Sequence, residues 1–173
     1  IKKSDAASFK DVRRSGLIGI TLKADDSLIS ARFVGKGDEM SLVTSNGQAI
    51  RFAEGDVRQM GRTAAGVTGM KLKKGDFIVS ADVLKKGDKE KEILAVMENG
   101  YGKTTPAKEY KVQNRGGSGI KTAKVTTKTG KVIGAAVLSK EEKTDGELVV
   151  MSKKGQVIKL PLKDVPSLGR DTQ

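Results

Sequence analysis

Arginine placement is the feature of this sequence with the clearest chemical meaning. Six of the eight arginines lie in or beside loops that also carry glycine and small residues: Arg13, Arg14, Arg58, Arg62, Arg115 and Arg170. A guanidinium group presents a planar fork of donors that matches phosphate oxygens. Backbone N–H groups in such loops can also bind an anion. The pattern therefore predicts a set of phosphate contacts.

The stretch "VQNRGGSGIKT", residues 112–122, is the most glycine-rich of these loops. Clustered glycine indicates positive φ or the close approach of another molecule. We expect Arg115 and Lys121 to contact phosphate groups, with Gly116 and Gly117 allowing the close approach.

A structural role for the same arginines is the competing hypothesis. One arginine per repeat at a fixed position is also typical of repeats that pack on one another. In that case Arg62 and its equivalents form salt bridges between neighbouring units, with Asp56 or Asp164 as acceptors.

The composition argues against catalysis within these 173 residues. The chain has no His and no Cys, so the commonest metal ligands, the usual general base and a thiolate nucleophile are absent. Most acidic residues stand beside turn glycines, where solvated turns explain them. We expect no catalytic residue, metal site or cofactor in this chain.

The charge balance points to a polyanionic partner. Lys and Arg number 33 against 21 Asp and Glu, a net charge of +12, which favours nucleic acid or an anionic membrane surface. Residues 1–72, 73–125 and 126–173 each carry a surplus of positive charge, so the sequence has no separate basic tail. No stretch reaches 18 apolar residues, so no membrane span is predicted.

These loops recur within internal repeats. Turns at Gly47, Gly100 and Gly155 follow similar segments at intervals of 53 and 55 residues. The alternating, β-branched segments of each unit predict four short strands, which we name a, b, c and d. Asn-Gly pairs between b and c predict two-residue hairpin turns. The charged runs between a and b, such as "SKEEKTDGE", are expected to be exposed turns.

A repeat of about 50–55 residues with four strands predicts an all-β, propeller-like array. The units are a partial blade at 1–22, blades at 23–72 and 73–125, and a partial blade at 126–173, which together form part of a ring. Loops that occupy the same position in each unit lie on one rim of such an array. A basic rim suits a bent duplex bound through its phosphates. A propeller-like protein-interaction scaffold, in which the charge serves solubility, is the alternative.

Two long stretches carry a resemblance to a known family: "IKKSDAASFKDVRRSGLIGITLKADDSLI" at 1–29 and "IRFAEGDVRQMGRTAAGVTGMKL" at 50–72. They resemble the C-terminal domain of bacterial DNA gyrase A. The resemblance implies a β-pinwheel, a propeller-like ring whose blades exchange strands with their neighbours. It also implies a rim that binds, bends and wraps double-stranded DNA.

The resemblance further implies a bacterial, cytoplasmic and chromosome-associated holoenzyme. Its other parts would be the gyrase A N-terminal cleavage domain and gyrase B, with ATP and Mg used outside this chain for negative supercoiling. The catalytic tyrosine would also lie outside it. The similar domain of topoisomerase IV, which aids substrate selection, is a second alternative.

The sequence departs from the family pattern in one motif. The family's hallmark box is Q-[RK]-R-G-G-[KR]-G, and residues 113–119 read "QNRGGSG". Asn114 and Ser118 stand where basic residues are usual. We interpret this stretch as a later-blade relative of the box.

Overall fold

The protein is all-β, with one short helix. The computed structural model describes residues 1–12, 14–88 and 90–172. The strands are β1 (Glu39–Thr44), β2 (Gln48–Ala53), β3 (Ile78–Leu84), β4 (Glu92–Met97), β5 (Gly102–Pro106), β6 (Ile120–Lys121), β7 (Val132–Leu138), β8 (Glu147–Met151) and β9 (Val157–Pro161). The helix α1 is Lys140–Asp145, and 3₁₀ turns span 6–9, 54–56, 107–109 and 162–164. In these described ranges, no helix is long and apolar enough to cross a bilayer.

The strands form three antiparallel sheets. Their orders are β3-β1-β2-β6, β5-β4-β7 and β8-β9. The hairpins β1–β2 and β4–β5 close through the predicted Asn-Gly turns, with φ of +74° at Gly47 and +85° at Gly100. Glycine adopts this left-handed region without the steric cost that a Cβ brings.

Neighbouring units exchange strands. In the four-stranded sheet, β1 and β2 come from 23–72, whereas β3 and β6 come from 73–125. In the next sheet, β7 of 126–173 pairs with β4 of 73–125. This pairing has the same register as that of β3 with β1, and the register shifts at the equivalent position in both. The exchange confirms the expected propeller-like β-pinwheel. The limits of the individual units stay a prediction.

Strand a of 23–72 does not form as a strand. The stretch 27–34 makes no β-strand pairing in the structure. It nevertheless lies beside β3, because the Ser30 hydroxyl donates to the Ala81 carbonyl at 3.0 Å. The physical reason is the exchange itself, because each strand a pairs with strand b of the preceding unit. The described residues of 1–22 include no strand b, so 27–34 has no strand b among them to pair with.

One predicted turn is a helix instead. Residues 140–145 form α1, begun by a capping box in which the Ser139 hydroxyl accepts from Glu142 N at 3.2 Å and the Glu142 carboxylate accepts from Ser139 N at 2.7 Å. The Ser-x-x-Glu spacing was the available signal. Six residues are too few to display an apolar stripe, so periodicity alone did not reveal the helix.

The core is divided into layers between the sheets. Leu42 and Val43 are adjacent in β1 and enter different apolar clusters, because successive side chains of a strand point to opposite faces. In β4, Ile93 joins the cluster of Val43, whereas Leu94 enters a third cluster. The sheets that contain β1 and β4 therefore each separate two thin cores, which suits a sequence with only 36% hydrophobic residues.

The sheet order defines an inner and an outer edge. Strands of type a adjoin one another, since the Asp82 carboxylate in β3 accepts from Val137 N in β7 at 3.0 Å. Strand d, represented by β6, lies at the opposite edge of its sheet. The loop between c and d precedes that outermost strand, so the c–d loops lie along the outer edge.

Candidate nucleic-acid interface

Three c–d loops, in 23–72, 73–125 and 126–173, cross the preceding unit. One backbone hydrogen bond repeats at each crossing, from Met60 N to Lys3 O at 2.8 Å, from Gln113 N to Arg51 O at 2.7 Å and from Leu168 N to Thr104 O at 2.8 Å. These three loops are therefore anchored at one end by the same contact. This contact places their residues on the outer edge at matching positions.

A glycine begins the strand-d segment after two of these loops, although only 120–121 forms a strand there. Gly66 and Gly119 have φ of +92° and +72°. A Cβ at Gly66 would lie 2.5 Å from the Ile1 carbonyl oxygen, and one at Gly119 would lie 2.5 Å from that of Ala49. Both the backbone conformation and the close packing exclude a side chain. The repeated glycines thus serve the packing of one unit on the next.

Arg115 and Arg170 donate to the backbone of the preceding unit. Arg115 Nε donates to the Asp56 carbonyl at 2.8 Å, and its Nη1 donates to that of Thr68 at 3.0 Å. Arg170 Nη1 donates to the Lys121 carbonyl at 3.1 Å, and Lys121 corresponds to Thr68 in the repeat. The arginines therefore tie units together, with carbonyl oxygens rather than aspartate carboxylates as acceptors.

The same arginines keep donors for a ligand. A guanidinium group has five N–H donors, and Arg115 directs two of them to carbonyls within the described residues. Arg62, Arg115 and Arg170 are half-buried, whereas Arg14 and Arg58 are exposed. Arg13 lies outside the described residues.

The glycines of the 112–122 stretch pack against the preceding unit. Gly116 N donates to the Gly69 carbonyl at 2.6 Å, and Lys71 N donates to the Gly117 carbonyl at 2.8 Å. A Cβ at Gly117 would lie 3.5 Å from Ile50 Cδ1. The close approach that these glycines permit is thus made by the protein's own chain, and the Gly116 N–H already has an acceptor.

A row of exposed cations lies within two residues of the ends of three successive 3₁₀ turns. The arginine positions alone do not reveal it. Lys10, Arg58 and Lys111 are spaced by 48 and 53 residues, the same spacing as the anchoring residues Lys3, Arg51 and Thr104. In the parts of the chain that the structure describes, their side chains form no hydrogen bond or ion pair. We call these three residues the cation row. A comparison of lysines and arginines together at the repeat interval would have found it.

Strand d adds further positive charge at the same edge. Lys121, at the end of β6, is exposed. Lys71 and Lys124 correspond to each other in the repeat and are also exposed. The outer edge therefore combines the half-buried Arg115 and Arg170, which join the units, with exposed cations.

The sequence matches the family model described as "DNA gyrase C-terminal domain, beta-propeller" over residues 1–34, 38–85, 91–139 and 146–173. The chain belongs to this family. It is 39% identical over all 173 residues to the DNA gyrase A protein of Staphylococcus epidermidis (strain ATCC 12228 / FDA PCI 1200) and spans 19% of that protein's length.

Solved structures of related domains have the same fold. A crystal structure of the C-terminal domain of DNA topoisomerase IV superposes with a TM-score of 0.89 at 28% identity, covering 99% of this chain and 52% of that one. A structure of the DNA gyrase A C-terminal domain gives a TM-score of 0.78 at 32% identity, covering 92% and 52%. This chain is thus homologous to the C-terminal part of a topoisomerase protein.

Proposed function

We propose that this chain binds, bends and wraps double-stranded DNA along the outer edge of its sheets, without sequence specificity. The observation that carries the proposal is the cation row, in which one exposed Lys or Arg follows the 3₁₀ turn of three successive units. Family membership and the net charge of +12 support the same conclusion.

Phosphate contact is the chemistry that the row supports. Exposed cations release counterions from DNA on binding, which supplies affinity without reading bases. Because Lys10, Arg58 and Lys111 repeat with the units of a propeller-like ring, a duplex that contacts all of them must follow a curve. Lys71, Lys121 and Lys124 on the outer strands extend the contact surface.

The wider role follows from the relatives and is also a proposal. The domain is non-catalytic and serves negative supercoiling by a gyrase holoenzyme in the bacterial cytoplasm. Its partners there are the cleavage domain of gyrase A and the gyrase B protein, and the sites for ATP and Mg lie in those other parts.

A salt titration of duplex binding tests the proposal. Wild-type chain should show log affinity falling linearly with log salt concentration. The variant K10Q/R58Q/K111Q should lower the magnitude of that slope by about 2.7, since each lost phosphate contact contributes about 0.9.

The matched control removes three lysines from the a–b connections, away from the outer strand. K36Q/K86Q/K140Q loses the same charge and should change the slope by less than about 1. Equal slopes for the two variants would contradict the cation row. Wild-type chain that fails to bind duplex at about 50 mM salt would overturn DNA binding and favour the interaction scaffold.

A second candidate function is the substrate-selection role of a topoisomerase IV domain, favoured by the TM-score of 0.89 to that structure. Ligation of nicked DNA circles in the presence of the chain separates the two functions. Wrapping shifts the linking number of the closed circles in one direction. Salt-dependent binding with no shift in linking number would support the second candidate.

A further inference from the structure

One position of strand c alternates between lysine and isoleucine. The residues at this position are Lys2, Ile50, Lys103 and Ile158. For the first three, the next residue forms the isolated parallel bridge that anchors a c–d loop of the following unit. Each of these side chains therefore stands at the base of one loop.

Lys103 is buried beneath the last c–d loop. The residue is 4% exposed. Its ammonium donates to the carbonyls of Gly169 at 2.6 Å, Arg170 at 2.8 Å and Thr172 at 3.0 Å, and to the Thr172 hydroxyl at 3.2 Å. Burial lowers the pKa of Lys103, while the charges of Asp171 and Glu109 oppose that shift. Four oxygens of one loop thus converge on a single buried cation.

Lys2 makes the corresponding contact two repeat units earlier. Its ammonium donates to the carbonyls of Arg62 and Gly19. Arg62 occupies the same place in its loop as Arg170, after a glycine in both cases. The two lysine-based loops share the sequence Gly-Arg and hold the arginine carbonyl in the same way.

Ile50 supports a different loop. It is fully buried, and Gly117 packs on its Cδ1 atom. Here Arg115 precedes two glycines, and the loop is held through the backbone contact from Gly116 N to the Gly69 carbonyl. An apolar side chain at the base thus accompanies a glycine loop, and a lysine accompanies a loop whose carbonyls face that lysine.

We propose that this position of strand c selects the conformation of the c–d loop above it, and that Lys2 and Lys103 are positioning residues that hold Arg62 and Arg170 on the DNA-binding edge. The inference rests on the proposed function for its effect on DNA. The physical reason is that carbonyls facing the buried lysine need a donor, and removal of the ammonium leaves them unpaired on the inner side of the loop. The loop then has to open to water, and its arginine loses a fixed position.

Hydrogen exchange of the DNA-free chain tests loop selection. Lys103→Met should raise the exchange rates of amides in 168–172 about tenfold while β4 keeps its protection. Lys91→Met is the matched control, because Lys91 is also a buried lysine that donates to a carbonyl, that of Lys85 at 3.2 Å, but lies in an a–b connection. Unchanged exchange in 168–172, or equal loosening by Lys91→Met, would overturn the proposal.

Duplex binding then tests the positioning role. Lys103→Met should weaken binding about threefold to tenfold and lower the magnitude of the salt slope by about 0.9, the loss of one phosphate contact. Lys91→Met should leave the slope unchanged. A loosened loop with an unchanged slope would overturn positioning. If wild-type chain binds no duplex, the proposed function fails, whereas the exchange result still decides loop selection. If Lys103→Met does not fold, Lys2→Met provides the same measurements at the 61–65 loop.

Discussion

At the scale of single residues, one side chain serves both the fold and the proposed interface. Arg115 uses two donors to hold the backbone of the preceding unit and keeps three for a ligand. A repeated arginine in a stacked repeat therefore has a structural role before any binding role. The exposed Lys10 and Lys111, which lack such contacts among the described residues, depend on a partner for theirs.

The glycine that begins strand d gives a residue-scale prediction. Gly119→Ala should lower the free energy of unfolding by about 3 kcal/mol, because it adds φ strain and places a Cβ 2.5 Å from the Ala49 carbonyl oxygen. Urea unfolding measures the loss. Gly16→Ala is the control, since Gly16 has a φ of +75° with open space around it, and should cost about 1 kcal/mol. Equal losses would contradict a packing role for Gly119.

At the scale of elements, polar side chains join turns that belong to different units. Asp38 precedes β1 and is 5% exposed. Its carboxylate accepts from Gly35 N and Lys86 N, each at 2.8 Å, and pairs with Lys85 Nζ at 3.0 Å. The turn before β1 is thereby fixed to the turn after β3, where the strand exchange brings two units together.

This junction predicts a pH dependence of stability. Burial by itself raises the pKa of Asp38, but the two N–H donors and Lys85 outweigh it and lower that pKa to about 2. The folded-state pKa is below the unfolded value, so the ionised carboxylate stabilises the fold above about pH 4. That contribution, about 1–2 kcal/mol, should disappear as the pH falls toward 2.

Urea unfolding between pH 2 and pH 7 measures the effect. Asp38→Asn should be less stable than wild type at pH 6, and the difference should shrink toward pH 2. Glu90→Gln removes an exposed carboxylate paired with Lys140 and should follow the wild-type pH profile. A constant difference between Asp38→Asn and wild type across the range would refute the assignment.

At the scale of the whole molecule, the protein is a stack of thin layers with unequal support. The β1–β2 hairpin has neighbouring strands on both sides, whereas β8–β9 is a two-stranded sheet. Val149, Met151 and Ile158 of that last hairpin are largely exposed. Stability in such an array depends on the interfaces between neighbouring units.

The layered arrangement predicts an order of local opening. Amides of β8 and β9 should exchange at least tenfold faster than those of β1, β2 and β4, because a hairpin with few buried contacts opens at low free energy. Hydrogen exchange followed by mass spectrometry measures this order. Uniform protection of all three sheets would show instead that the chain opens as one cooperative unit.

The local features of the fold could be predicted from the residues alone. Alternation and β-branched residues predict strands, Asn-Gly pairs predict the hairpins at Gly47 and Gly100, and the repeat interval predicts the all-β array. These features depend on neighbours along the chain, so the backbone preferences of a few residues are sufficient. The resemblance of 1–29 and 50–72 to a known family also predicted that neighbouring units exchange strands.

The sharing of strands between units and the contacts of each loop residue became visible only in the folded chain. The acceptors of Arg115 are 59 and 47 residues away in sequence. The support of Arg170 by Lys103 is likewise a contact across 67 residues. No local preference encodes such contacts, because they arise when one unit packs on the next.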